Sequence, residues 1–257
     1  MEKYFDINSM GSNIKAKIYC KDIRNIDKVV ISCHGFGGSK DNNATKKLAD
    51  SMLDVYDDVA VISFDWPAHG NDVKQKLDLN DCDAYLESVI DYCKNVLGAT
   101  KIYSQATSFG GYLVLKYVSE HGNPFEKIAL RCPAVNMHDA LVERIMTEDQ
   151  VEDVERGKIV DCGFDRKIKI TKDFVDQLAS NNILDRDFID YSDDILIMHG
   201  TNDELIDYDV DRVFCDENII EFITIEGADH RFTNPAKLRE CLNNIVDFYG
   251  IANDKKI

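Results

Sequence analysis

A repeated unit constrains this chain more than any other feature of its sequence: a short, largely apolar run stops at a turn, and a stretch with helical periodicity follows. The runs are KVVISC at 28–33, VAVISFD at 59–65, KIYSQAT at 101–107, KIALRC at 127–132 and DILIMHG at 194–200. Strands this apolar are buried on both faces, the usual state of parallel strands covered by helices. Helical spacing fits 43–53, 83–97 and 110–122, and 235–250 opens on a proline suited to a first helical turn. IIEFITIEG at 219–227 reads as a further strand, and 2–20 as a hairpin about Gly11. The expected class is α/β, a mostly parallel twisted sheet with right-handed crossovers and helices on both faces. Such sheets bind ligands beyond the carboxyl ends of their strands. Each candidate functional residue should therefore directly follow a strand.

The rhythm breaks between 134 and 190. HDALVERIM and TKDFVDQLAS have helical spacing, and GKIVDCGFDRKIKI between them reads as a strand pair around Gly163. An insertion of this size is too long for a simple loop. The expected organisation is a core of residues 1–133 and 191–257, with 134–190 inserted as a cap.

Composition narrows the function by exclusion. A formal net charge of −17 repels phosphate backbones and anionic lipid, so nucleic-acid and membrane partners are not expected. The eight cysteines form no CxxC pair and several sit in apolar runs, as buried thiols do. No two histidines have metal-ligand spacing on one helix, so neither metal nor cofactor is expected. MEKYFDINSM is charged where a secretory signal needs an apolar core, and no run approaches membrane-spanning length, which makes cytoplasmic the default location.

Ser108 lies in Gln-Ala-Thr-Ser-Phe-Gly-Gly, between a predicted strand and a predicted helix. A nucleophilic serine on a sharp strand-turn-helix elbow needs small residues two before and two after it, and Ala106 and Gly110 supply them. Helix capping is the commoner fate of such a serine. Asp203 follows the strand ending in His-Gly, and His230 follows IIEFITIEG. The order Ser, Asp, His, each after a different strand, suits a nucleophile, an orienting acid and a general base. His34-Gly35-Phe36-Gly37-Gly38 can turn backbone N–H groups toward an oxyanion, with Phe36 and Phe109 as the expected donors. A phosphate loop is the rival for that segment, but it lacks the Lys-Ser/Thr of a P-loop. FDWPAHG at 64–70 should shape the pocket rim, so the expected substrate contacts lie near Phe36 and Trp66. His34, His69 and His199 are expected to hold backbone groups.

The ordered set HGFGG, FDWPAHG, ATSFGG, HGTNDELI and GADHRF resembles the α/β-hydrolase superfamily, in its branch of small esterases and serine aminopeptidase-like lipases. The inserted segment is more loosely similar to that of intracellular cinnamoyl (feruloyl) esterases. The resemblance implies the α/β-hydrolase fold and a serine carboxylesterase that forms an acyl-enzyme on Ser108. Hydroxycinnamoyl or other small acyl esters are its expected substrates, with neutral or apolar surroundings for the acyl group. Partners would be that ester and at most a second copy of the chain as a homodimer. Alternatives on the same residues are an aminopeptidase, with Glu143, Glu148, Asp149, Glu152 or Glu155 as amine anchor, and a monoacylglycerol lipase. From a different class comes a non-catalytic binding protein of this fold. Ala106 where the family has glycine, Thr107 where it often has histidine, and Ala68 in the PGHG-like turn depart from the pattern.

Overall fold

The computed structural model describes residues 1–9, 11–72, 74, 76–163 and 166–251. Eight strands form one sheet: β1 (Glu2–Ser9), β2 (Ser12–Cys20), β3 (Lys28–Cys33), β4 (Val59–Phe64), β5 (Lys101–Thr107), β6 (Ile128–Arg131), β9 (Ile195–Gly200) and β10 (Glu221–Ile225). Their spatial order is β1-β2-β4-β3-β5-β6-β9-β10. The first hairpin is antiparallel and joins β4 antiparallel, and every pairing beyond it is parallel. Helices α1 (Asn43–Val55) and α8 (Pro235–Tyr249) cover one face through Leu48, Met52, Leu238 and Ile245. On the other face pack α2 (Leu79–Asp91) and α3 (Phe109–His121), through Leu86, Val89, Leu113 and Val114. The α/β class and the two-sided burial of the apolar runs agree with the sequence reading. All eight cysteines are buried and unpaired.

The segment between β6 and β9 carries α4 (Met137–Asp139), continued by a wider turn over Ala140–Ile145, then α5 (Glu148–Glu155) and α6 (Lys172–Ser180). Strands β7 (Val160–Cys162) and β8 (Ile168–Ile170) form the short antiparallel pair expected around Gly163. One helix escaped the sequence reading. α7 (Tyr208–Asn218) lies between β9 and β10, capped by Asp207. Its buried side includes Asp211 and Asn218 beside Phe214 and Cys215, so polar residues interrupt the apolar stripe that would reveal it.

The sheet order reverses between β3 and β5. Chain leaving β3 goes to β4 on one side, and chain entering β5 lies on the other, which opens a crevice at their carboxyl ends. Beside it, a buried ion pair pins the turn after β4. The fully buried Asp65 accepts from Lys40 N–H at 2.7 Å, Lys40 Nζ at 2.9 Å and Asn71 N–H at 2.7 Å. Gly70 has φ +54°, and a Cβ there would fall 2.0 Å from the Asp65 carboxyl carbon. Removing one partner of a buried pair leaves an uncompensated charge. Asp65→Ala is therefore expected to lower unfolding stability by about 3–5 kcal/mol, measured by urea denaturation.

Candidate active site

Ser108 stands between β5 and α3 with φ 53° and ψ −124°, a conformation that L residues adopt only under constraint. Gly110 supplies the constraint. A Cβ there would lie 2.6 Å from the carbonyl oxygens of both Cys33 and His34, so α3 begins in direct contact with the end of β3. Ala106 meets no such limit, since it sits within β5 opposite Cys33 and Leu130. This accounts for an alanine where glycine is usual. The loop after β3 runs against the serine as well: a Cβ on Gly35 would be 3.2 Å from Ser108 Cβ. The N–H groups of Phe36 and Phe109 find no acceptor among the described residues.

His230 and Asp203 meet across the neighbouring loops. His230 Nδ1 lies 2.7 Å from Asp203 Oδ2. The other carboxylate oxygen accepts from the Leu205 and Ile206 N–H groups, each at 2.8 Å. Close packing of the two loops sets this geometry. A Cβ on Gly200 would fall 2.2 Å from the Ala228 carbonyl oxygen, and Asn202 N–H donates to that same oxygen at 3.0 Å.

A second histidine extends the array. His199 Nδ1 is 2.8 Å from Asp211 Oδ2, and its Nε2 is 3.2 Å from Asp203 Oδ2, with all three side chains fully buried. His199 therefore bonds the Asp211 carboxylate and lies against that of Asp203, instead of the backbone groups expected of it. Asp211 was invisible in the sequence because the helix that carries it was. Burial alone would lower the His199 ring, but the two flanking carboxylates outweigh it and raise the ring. Burial would likewise raise Asp203, yet His199, His230 and the Ile206 N–H hold it far below the ordinary carboxylate range. His230 is pushed down by burial and up by Asp203 and Cys132, and comes to rest at about 9. His34 and His69 behave as expected: their Nδ1 atoms meet the carbonyls of Gly35 and Pro67, and burial pushes them down to about 4 and about 3.

Ser108 and His230 line one cleft of about 740 Å³, together with Phe36, Thr107, Ile145, Leu205 and Phe232. Phe36 is thus at the cleft as expected. Trp66 is not: it is fully buried, packed edge-on against Phe64, and its Nε1 donates to the His34 carbonyl at 3.0 Å. It supports the loop from beneath, and the rim is made by other residues. The Phe109 ring is also buried, within 6.3 Å of Phe36, His69, Tyr112 and Phe174. The wall of the cleft is less apolar than expected, because Lys47, Arg131 and Arg166 contribute to it.

Among the described residues, two groups of side chains could present donor atoms to a metal. Cys132, Asp203 and His230 lie within 4.8 Å of one another, but an ion there would compete for the Asp203 oxygens that orient the imidazole. At Asp83, Glu120 and His121 the place is taken by Lys116 Nζ, 2.6 Å from both carboxylates.

A strained serine at a sheet switch point, on the same cleft as a buried His–Asp pair, places this chain among the hydrolases built on an α/β sheet. A family model described as alpha/beta hydrolase fold matches residues 28–158, more than half of the chain, and the chain belongs to that family. No curated protein sequence is detectably similar. Among solved structures, Est1E from Butyrivibrio proteoclasticus is similar with a TM-score of 0.77 at 19% identity, over 96% of this chain and 99% of that one. It has also been solved with ferulic acid bound. A putative hydrolase from Agrobacterium vitis gives 0.74 at 16% identity, over 97% and 98% of the two chains. The Pyrococcus furiosus esterase Pf2001 gives 0.69 at 15%, over 97% and 92%. At such identities the likeness is one of fold. Among the described residues, no helix is long and apolar enough to cross a membrane.

Two measurements check this geometry. Gly110→Ala forces a Cβ into two backbone carbonyls, and is expected to cost at least about 1–3 kcal/mol in thermal unfolding, more than Ala106→Gly. In NMR titration, the His230 ring should titrate near 9 in the wild type and clearly lower in Asp203→Asn, where Cys132 alone is left to oppose burial. The raised ring contributes stability that is complete below about 6.5 and lost as pH rises through about 9. The stability gap between wild type and Asp203→Asn should therefore narrow across that window.

Proposed function

We propose that the protein is a serine carboxylesterase in which Ser108 is the nucleophile, His230 the general base and Asp203 the residue that orients and charges the base. The observation that carries this reading is the strained Ser108 elbow opening on the same cleft as an imidazole already bound to a buried carboxylate. His230 takes the hydroxyl proton as Ser108 Oγ bonds to the ester carbonyl carbon. The tetrahedral oxyanion then receives the Phe36 and Phe109 N–H groups, each contributing about 3 kcal/mol. Collapse breaks the carbon–oxygen bond to the alcohol, which leaves with the proton from His230. Water repeats the sequence on the acyl-enzyme and frees the acid. The segment 134–190 acts as a cap, bringing Ile145 and Arg166 to the cleft.

An ester is preferred to an aminoacyl amide on one specific ground. An aminopeptidase needs a carboxylate beside the nucleophile for the substrate's ammonium, and the described residues lining the cleft include no aspartate or glutamate. Glu143, Glu148, Asp149, Glu152 and Glu155 are exposed and outside that lining. The bound ferulic acid of Est1E supports a carboxylic ester as the substrate class.

Fluorophosphonate treatment followed by intact mass and peptide mapping should give one adduct, on Ser108 and absent in Ser108→Ala. The same variant should lower kcat on an activated ester by about 10,000-fold or more. Turnover should climb with pH toward about 9, where the His230 base is free. No adduct on folded wild-type protein would remove the enzyme reading.

A further inference from the structure

Acidic residues outnumber basic ones by 47 to 30 in the chain, yet the described lining of the Ser108 cleft inverts that balance. It includes Lys47, Arg131, Arg166 and Arg231 and, among the described residues, no carboxylate. By contrast, the cleft beside Ile219 is lined by Asp193, Asp216 and Glu221 with no basic residue. The inversion is local to the reacting serine.

Arg131 is the informative cation. It closes β6, is only 6% exposed, and its carbonyl accepts from the Ser108 N–H at 3.1 Å. Its guanidinium lies 5.1 Å from the Phe232 ring. The Nε atom is buried without a hydrogen-bond partner, and among the described residues no carboxylate pairs with Arg131, Lys47 or Arg166. A buried guanidinium without an anion is unfavourable, and stacking on an aromatic ring offsets only part of that cost. The side chains beside it in the sheet, Thr107 of β5 and Met198 of β9, are uncharged, so neither neighbour gives a reason for a charge here. Arg166 enters from the opposite wall, where its backbone carbonyl would lie 3.4 Å from a Cβ on Gly37. Lys47 comes from α1.

We propose that the cleft takes esters that carry a carboxylate a few atoms from the scissile carbonyl, with Arg131 receiving the carboxylate and Lys47 and Arg166 drawing it in. This rests on the reading of Ser108 as nucleophile. One buried guanidinium matches one planar, singly charged group, and its fork of donors suits a carboxylate. The other cations of the lining are more exposed and screened, so they favour entry more than they hold a second charge.

The test compares para-nitrophenyl esters of matched length, the glutarate half-ester against the pentanoate, on wild type, Arg131→Met, Arg131→Lys and Arg166→Gln. The half-ester should be favoured in kcat/KM by about tenfold or more, and added salt should erode the preference. Arg131→Met should abolish that ratio mainly through KM, Arg131→Lys should restore part of it, and Arg166→Gln should reduce it about two- to threefold. Equal or better turnover of pentanoate by wild type would overturn the proposal, as would an unchanged ratio in folded Arg131→Met. Should Arg131→Met fail to fold, an unchanged ratio in Arg131→Lys together with Arg166→Gln would also overturn it.

Calorimetry of free glutarate with Ser108→Ala gives a readout without turnover. Binding there, lost in Arg131→Met, supports the carboxylate site even if neither ester is hydrolysed, in which case the nucleophile assignment alone fails. Orthophosphate binding more tightly than glutarate would overturn the choice of a carboxylate.

Discussion

The site depends on one buried carboxylate being satisfied from every side. Asp203 takes two backbone N–H groups on one oxygen and faces two imidazoles with the other. A carboxylate so deeply placed would otherwise take up a proton, and a neutral acid could not support a protonated imidazole. The two backbone donors come from its own loop, and the two rings come from β9 and from the loop after β10. The position of Asp203 therefore requires β9 and β10 to be paired in register and α7 to bring Asp211 behind His199. Far-reaching contacts of the fold meet at this atom pair.

Charge is arranged at two length scales that oppose each other. Over the whole molecule the excess is negative, with acidic residues along α5 and α7 facing solvent. Within the cleft it is positive. An anion approaching from outside is repelled at a distance and attracted at contact, and screening by salt weakens the first more than the second. Such a surface discriminates against bulky polyanions while leaving a small anion able to reach the serine.

Most of the fold was legible because parallel strands buried on both faces leave a dense apolar record. KVVISC, VAVISFD and DILIMHG could hardly be anything else, and Ser108, Asp203 and His230 were sought after the runs KIYSQAT, DILIMHG and IIEFITIEG. Three things were not legible, for physical reasons. α7 buries Asp211 and Asn218, so its stripe is broken. Trp66 follows a strand as a rim residue would, but a single hydrogen bond to the His34 carbonyl and its contact with Phe64 hold it inside. Arg131 ends the apolar run KIALRC, where a charge ordinarily marks the return to solvent. Here the strand end is itself covered, and only the packing around Phe232 reveals it.

The eight cysteines have a consequence beyond packing. Every thiol is sealed in the interior, from Cys20 in the first hairpin to Cys241 on the last helix, and burial raises Cys33, Cys82 and Cys93 well above an ordinary thiol. A thiol reagent in solution meets no cysteine side chain until the surrounding element opens. The chain thus carries its own set of clocks, one in each layer of the fold, and the rate at which each cysteine is labelled times the breathing of the part that encloses it.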